Sequence, residues 1–185
     1  METLILTGST AAASTSARLA GLIRRRIELR DLDSVVSDLD RSLLRLPGLD
    51  ADAYTGGALA RDPGVRHLAD RLADARAVVL VTPVQHGSYS GALKNLLDHA
   101  PRAALRDKPV LLAATGGTLH PGSAACDHLR AVVRSLGGWA VPTQVIAQRS
   151  ELTAAAEPPP QLAARIDRAV GELLLGARML APAAL

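Results

Sequence analysis

Phenylalanine is absent from this chain, and its aromatic residues amount to two tyrosines and one tryptophan in 185 positions. Apolar residues still make up 48% of it, so an interior has to be built from Ala, Val, Leu and Ile. A chain of this length and apolarity buries one proper core, unlike a disordered sequence, and residues 1–185 are expected to form a single domain. With Cys126 as its lone cysteine, an intrachain disulfide and a thiolate metal cluster are excluded, and a cytoplasmic protein without a metal site is expected. No apolar run approaches the roughly 18 residues of a membrane span. The start at Thr3-Leu4-Ile5-Leu6 carries neither a basic region nor a cleavage site, so no signal peptide is read there. Few aromatics also means no base-stacking platform for nucleic acid. The net charge is +3, but the arginines are scattered and Arg24-Arg25-Arg26 is their one cluster. At the expected end of a first helix, such cations complement the helix dipole, a reading preferred over a nucleic-acid patch.

What the chain does have is an alternation of short aliphatic runs and longer amphipathic stretches, the pattern of a parallel sheet wrapped by helices. Thr3–Thr7 reads as a first strand cut off by Gly8-Ser9, and Ser14 or Ser16 caps a helix running to about Arg26. Ile27–Leu32 is the candidate second strand, followed by a helix over Ser34–Leu44 and a long loop through Pro47, Gly48 and Gly56-Gly57. Asp62-Pro63 pairs a capping residue with proline at the first helical position, opening a helix to about Ala75. Ala77–Val81 is a continuous aliphatic strand, stopped by Pro83. A helix over Ser90–His99, a fourth strand over Pro109–Ala114 and a helix over Pro121–Leu136 closed by Gly137-Gly138 follow. Trp139–Ala147 is a fifth strand, placed at the edge by its interrupting Pro142, and Leu162–Leu175 is a closing helix. The economical topology is α/β: a doubly wound sheet of five parallel strands in the order 2-1-3-4-5, with helices on both faces.

In such a sheet, ligands bind beyond the carboxyl ends of the strands, where the order switches between the first and third. Three unusual loops follow strands one, three and four, and this topology collects them on one edge: Gly8–Ser16, Thr82–Gly91 and Thr115–His120. In the first, the hydroxyls of Ser9, Ser14, Thr15 and Ser16 run into a helix N-terminus, the makings of a phosphate cradle or of an ordinary serine-capped loop. It has neither Gly-x-x-x-x-Gly-Lys nor Gly-x-Gly-x-x-Gly, which disfavours nucleotide triphosphatases and dinucleotide folds.

The second loop, Thr82-Pro83-Val84-Gln85-His86-Gly87-Ser88-Tyr89-Ser90-Gly91-Ala92-Leu93-Lys94-Asn95, resembles the pattern T-P-x-Y-x-x-S-x-x-G-x-L-K-N of the NADPH-dependent FMN reductase family. Thr82, Pro83, Ser88, Gly91, Leu93, Lys94 and Asn95 match it. The turn Thr115-Gly116-Gly117 is similar too, with His120 near the family's histidine and Asp127-His128-Leu129-Arg130 resembling its fourth helix. The likeness runs from Thr3 to about Gln148. It implies a flavodoxin-like fold and hydride transfer from NADPH or NADH to FMN. It also implies a phosphate held by Ser9, Ser14, Thr15 and Ser16, and a ring lined by Pro83, Val84, Gln85, His86, Gly87 and Ser88. Thr115, Gly116 and Gly117, with His120 nearby, would bring donors to the pyrimidine edge, where negative charge gathers on reduction. Gly91 would let the helix approach closely. Lys94 is better read as solvent-exposed, and His86 as either a proton donor or an exposed loop residue.

No catalytic side chain is implied, because the cofactors carry the chemistry. As partners, the resemblance implies a homodimer or homotetramer and a flavin-dependent monooxygenase taking the reduced flavin, or else a bound FMN that reduces a quinone, azo compound or metal oxyanion. Leu93, Leu96 and Leu97 suit either a subunit interface or ordinary sheet packing. A non-catalytic electron carrier is disfavoured by the basic, aromatic-poor composition. Two departures stand out. Ala11 and Thr15 occupy the places where the family commonly has arginines, which would cost phosphate binding about 1.5–3 kcal/mol if nothing replaces them. Gln85 stands where the family usually has tyrosine.

Overall fold

In the computed structural model, which describes residues 1–50, 52, 61–152 and 157–180, the sheet is organised around β3 (Ala77–Gln85). Its residues from Ala77 to Thr82 are all buried, as a parallel strand covered on both faces requires. β1 (Glu2–Thr7) pairs with it on one side and β5 (Pro109–Gly116) on the other, both parallel. β2 (Val35–Asp38) completes the edge beyond β1. β6 (Trp139–Ala140) and β7 (Val145–Gln148) both pair with β5 at the far edge. The order is β2-β1-β3-β5-β6.

Alternate residues of each strand feed opposite layers. Leu4, Leu6, Val78, Leu80, Val110 and Leu112 pack against α2 (Pro63–Asp74), α3 (Gly91–Asp98) and α4 (Leu119–Ser135). Ile5, Val79, Val81, Leu111 and Ala113 pack against α1 (Thr15–Arg30) and α5 (Pro160–Met179). Among the described residues, the buried hydrophobic clusters are aliphatic apart from Cys126, whose thiol is pushed up to about 12 by burial. Leu93, Leu96 and Leu97 are in that core, which settles their role in favour of sheet packing.

The doubly wound α/β architecture is as expected, with differences in detail. Seven strands replace five. Pro142 splits the last into β6 and β7, and β4 (Ser88–Tyr89) adds an antiparallel hairpin partner to β3. Pro83 does not stop β3. Val81 accepts from the Gly8 N–H on the β1 side, so Pro83, two residues on, turns its missing N–H beyond the end of β1, where no ladder bond is lost.

The expected second strand at Ile27–Leu32 is instead the end of α1, because Ile27 continues the four-residue spacing of Leu19 and Ile23, all three fully buried. The strand lies at Val35–Asp38, and the helix expected over Ser34–Leu44 becomes that strand plus a short 3₁₀ turn, Arg41–Arg45. With α1 running to Arg30, the arginine cluster lies within the helix rather than at its end. Arg24 pairs with Asp38 at 2.6 Å and Arg26 with Asp167 at 3.2 Å, tying α1 to β2 and α5. α4 starts at Leu119, two residues before Pro121, which is tolerated because first-turn N–H groups have no intrahelical acceptor. The expected cap at Asp62 is present, accepting from Gly64 at 2.7 Å and Val65 at 3.2 Å; Ser90, expected as the first helical residue, instead caps α3 by accepting from Leu93 at 3.2 Å. The loop expected around Gly56-Gly57 lies outside the described residues.

Candidate functional site

The three loops meet at the carboxyl ends of β1, β3 and β5, and hydrogen bonds between them show how. Ser90 is buried and joins two of them: its Oγ donates to Gly8 O at 2.6 Å and its N–H donates to Thr82 Oγ1 at 3.0 Å. The close approach here falls on Gly8, where a Cβ would lie 2.8 Å from both Leu93 Cβ and Ser90 Oγ. Gly91, expected to let its helix approach the ring closely, has open space within 4 Å of its would-be Cβ. The third loop joins through α1, where Ser16 Oγ and Thr115 Oγ1 share a buried 2.8 Å hydrogen bond. Thr15 Oγ1 lies 3.4 Å from the same Thr115 oxygen.

These bonds sort the expected site residues. Ser16 and Thr115 are buried and turn their hydroxyls to each other, fixing the start of α1 against the end of β5. Ser9, Ser14 and Thr15 are half-buried at the loop surface. Ser14 caps α1 by accepting from Ala17 N–H at 3.1 Å, and Ser9 accepts from Ala11 N–H at 3.4 Å. Among the described residues, nothing accepts from the N–H groups of Ala12, Ala13, Thr15 and Ser16. With the loop hydroxyls they form a donor-rich, positively polarised helix end.

The second loop is a tight hairpin. Gln85 pairs with Ser88, and His86 (φ 48°) with Gly87 (φ 75°) makes a two-residue turn with both residues in the left-handed region. Gln85, His86 and Gly87 are exposed at its tip, while Pro83, Val84 and Ser88 are half-buried along its flank. Ser88 Oγ is 2.9 Å from His128 Nδ1, so α4 steadies the hairpin. Burial raises the pKa of the Tyr89 phenol on the returning strand. Gly116 lies close to the hairpin, its would-be Cβ 3.2 Å from Val84 Cγ2, and Gly117 faces open space. His120 is exposed in the first turn of α4.

Other residues of the motif act in the scaffold. Lys94 pairs with Asp98 at 2.5 and 2.6 Å. Asn95 Nδ2 donates to Leu46 O at 2.8 Å, and His99 Nε2 is 2.8 Å from Pro47 O, together holding the segment that follows the 3₁₀ turn. One residue at this edge escaped the sequence reading. Arg41, in that turn, donates from Nη1 to Ala11 O at 3.0 Å. No local signal marks it, since the contact spans 30 residues and exists only once β2 lies beside β1.

The model of one protein family, NADPH-dependent FMN reductase, matches residues 1–151. The chain belongs to the NADPH-dependent FMN reductase family. It is accordingly an NAD(P)H-dependent flavin oxidoreductase, with FMN and a reduced nicotinamide as its cofactors. An FMN-dependent NADPH-azoreductase of Staphylococcus haemolyticus is 36% identical over 152 residues, 82% of this chain and 79% of the relative. One from Staphylococcus aureus (strain USA300) is 35% identical over the same coverage. Among solved structures, an NADH:FMN oxidoreductase in its apo form has a TM-score of 0.76 at 27% identity, covering 94% of this chain and 88% of the other. The flavoenzyme NAD(P)H:(acceptor) oxidoreductase FerB of Paracoccus denitrificans shares the fold, with a TM-score of 0.75 at 20% identity, covering 95% of this chain and 98% of that one.

The residues at this edge suit FMN. A hydroxyl-rich helix end with unpaired N–H groups matches a phosphate monoester. A hairpin flank and an open diglycine turn leave room for a flat ring approached by backbone groups.

Proposed function

We propose that this chain oxidises NADPH or NADH with FMN placed along the edge formed by the three loops, and supplies the reduced flavin to a partner monooxygenase. The observation that carries the reading is the bonding of the loops to one another through Ser90–Gly8 and Ser16–Thr115, with Ser90–Thr82 bracing the second loop internally. Held along that edge, FMN would supply the hydride acceptor for the nicotinamide. The chain's part is to orient and polarise. In this reading Ser9, Ser14 and Thr15 donate to the phosphate, and Ser16 holds the helix end in place. Pro83, Val84, Gln85, His86, Gly87 and Ser88 line the ring through the hairpin. The amides of Gly116 and Gly117, next to Thr115 and His120, face the pyrimidine edge, where donors favour the charge that reduction brings.

The exposed hairpin tip supports exchange of the flavin as a substrate. A second reading, in which FMN stays bound and an azo compound or quinone is reduced, is favoured by the azoreductase relatives at 35–36% identity. Steady-state kinetics separate them. Saturable consumption of free FMN at constant enzyme supports flavin supply, whereas ping-pong kinetics with retained FMN and an azo dye as acceptor support the second. No NAD(P)H oxidation with FMN in either assay overturns both. The chain is further proposed to work in the cytoplasm as a homodimer or homotetramer, which light scattering after size exclusion tests directly.

A further inference from the structure

We infer that Arg41 supplies the positive charge for the flavin phosphate and so makes the site select FMN over riboflavin. The inference rests on the FMN reading above. The loop itself contains no basic residue from Gly8 to Ser16, so the helix end and its hydroxyls are its only intrinsic attraction for a phosphate. Arg41 arrives from beyond β1, on the β2 side. The 3₁₀ turn that follows β2 brings its guanidinium to Ala11 O at 3.0 Å.

Two features leave that charge available. Among the described residues, Arg41 makes no ion pair, unlike Arg24, Arg26, Arg30 and Arg71, each of which is within 4 Å of a carboxylate. Its neighbour Asp40 is engaged elsewhere: the Asp40 carboxylate caps the turn by accepting from Ser42 N–H at 2.8 Å, which holds its pKa below the ordinary value. A guanidinium carries five donors, and one of them is spent on Ala11 O. The others remain for an oxyanion in the loop, and the bond to Ala11, itself exposed, ties the fork to the loop. Arg41 therefore restores, from the 3₁₀ turn after β2, the charge that Ala11 and Thr15 do not provide.

The test is titration of FMN and of riboflavin into the wild-type protein, Arg41→Gln and Arg41→Lys, followed by flavin fluorescence. Riboflavin has the ring without the phosphate, and glutamine keeps a donor for Ala11 O without the charge. Loss of a charge-assisted hydrogen bond predicts that Arg41→Gln binds FMN about ten- to a hundredfold more weakly. Riboflavin binding stays as in the wild type, and Arg41→Lys recovers part of the FMN preference. In the wild type, the ratio of FMN to riboflavin affinity falls as salt is raised, an arm that needs no variant. Equal FMN affinity in wild type and Arg41→Gln overturns the inference and leaves the FMN reading intact. A parallel loss of both flavins in Arg41→Gln also overturns it, because it assigns Arg41 to loop placement alone. A wild-type protein that binds neither flavin overturns the FMN reading and this inference together.

Discussion

Replacing Ser90 by alanine removes one oxygen atom that serves two loops and a helix. In the native fold Ser90 Oγ donates to Gly8 O at 2.6 Å and accepts from Leu93 N–H at 3.2 Å, all within a buried contact. Loss of the cap on α3 costs about 1 kcal/mol. Gly8 O is left inside without this donor, and a buried acceptor stripped of its partner costs about 1–3 kcal/mol. The two together come to about 2–4 kcal/mol, out of a total stability of about 5–15 kcal/mol for a domain. Urea unfolding followed by far-ultraviolet circular dichroism measures this. With a slope of about 2 kcal/mol per molar urea, the midpoint should fall by roughly 1–2 M. Ser90→Thr, which keeps the oxygen, should recover much of the loss, and amide exchange in residues 8–14 should quicken in the alanine variant alone. An alanine variant destabilised by less than about 0.5 kcal/mol, the range of an ordinary surface change, would refute the view that this hydroxyl joins the loops.

Other substitutions probe the same architecture. Gly87→Ala places a side chain at φ 75° and should cost about 1–2 kcal/mol while loosening the hairpin. Gly91→Ala, at the open first turn of α3, should be neutral or slightly stabilising; equal losses at the two positions would contradict the turn geometry. At Gly122, alanine would put its Cβ 2.4 Å from Ile146 Cγ2, an overpacking worth about 1–3 kcal/mol that the double variant with Ile146→Ala should relieve. Cys126 should resist thiol reagents in the native state at pH 8. Its thiol is raised from 9.0 to about 12 in the fold, so its contribution to stability is complete below pH 9. Above that the unfolded thiol ionises first, and stability should decline by up to about 1.4 kcal/mol per pH unit between 9 and 12. Urea midpoints of wild type and Cys126→Ala measured across that range should converge if the thiol is responsible.

Legibility in the sequence followed the range of the forces involved. Ala77–Val81 and Pro109–Ala114 announced buried parallel strands because burial on both faces demands unbroken aliphatic runs. Asp62-Pro63 and Ser90 announced helix starts because a cap is a contact over two or three residues. The region from Ile27 to Leu44 was misread for the converse reason. β2 is a short, half-exposed edge strand with little hydrophobic signal of its own, and the periodicity that ran α1 on to Arg30 was cut short at Arg26. The hairpin at His86-Gly87 also passed unnoticed, its turn residues read only as ring contacts.

Sequence alone determined the aliphatic core, the doubly wound sheet, the three loops at its edge and the FMN reductase resemblance that the second and third of them carry, since each rests on composition or on neighbours along the chain. Only the tertiary structure decided how those loops are held. Ser16 is turned to Thr115 across 99 positions, Gly8 is packed against Leu93 and Ser90, and Arg41 reaches Ala11 from beyond β2. Such contacts depend on where strands come to lie beside one another, and no local pattern of residues encodes a distance across a sheet.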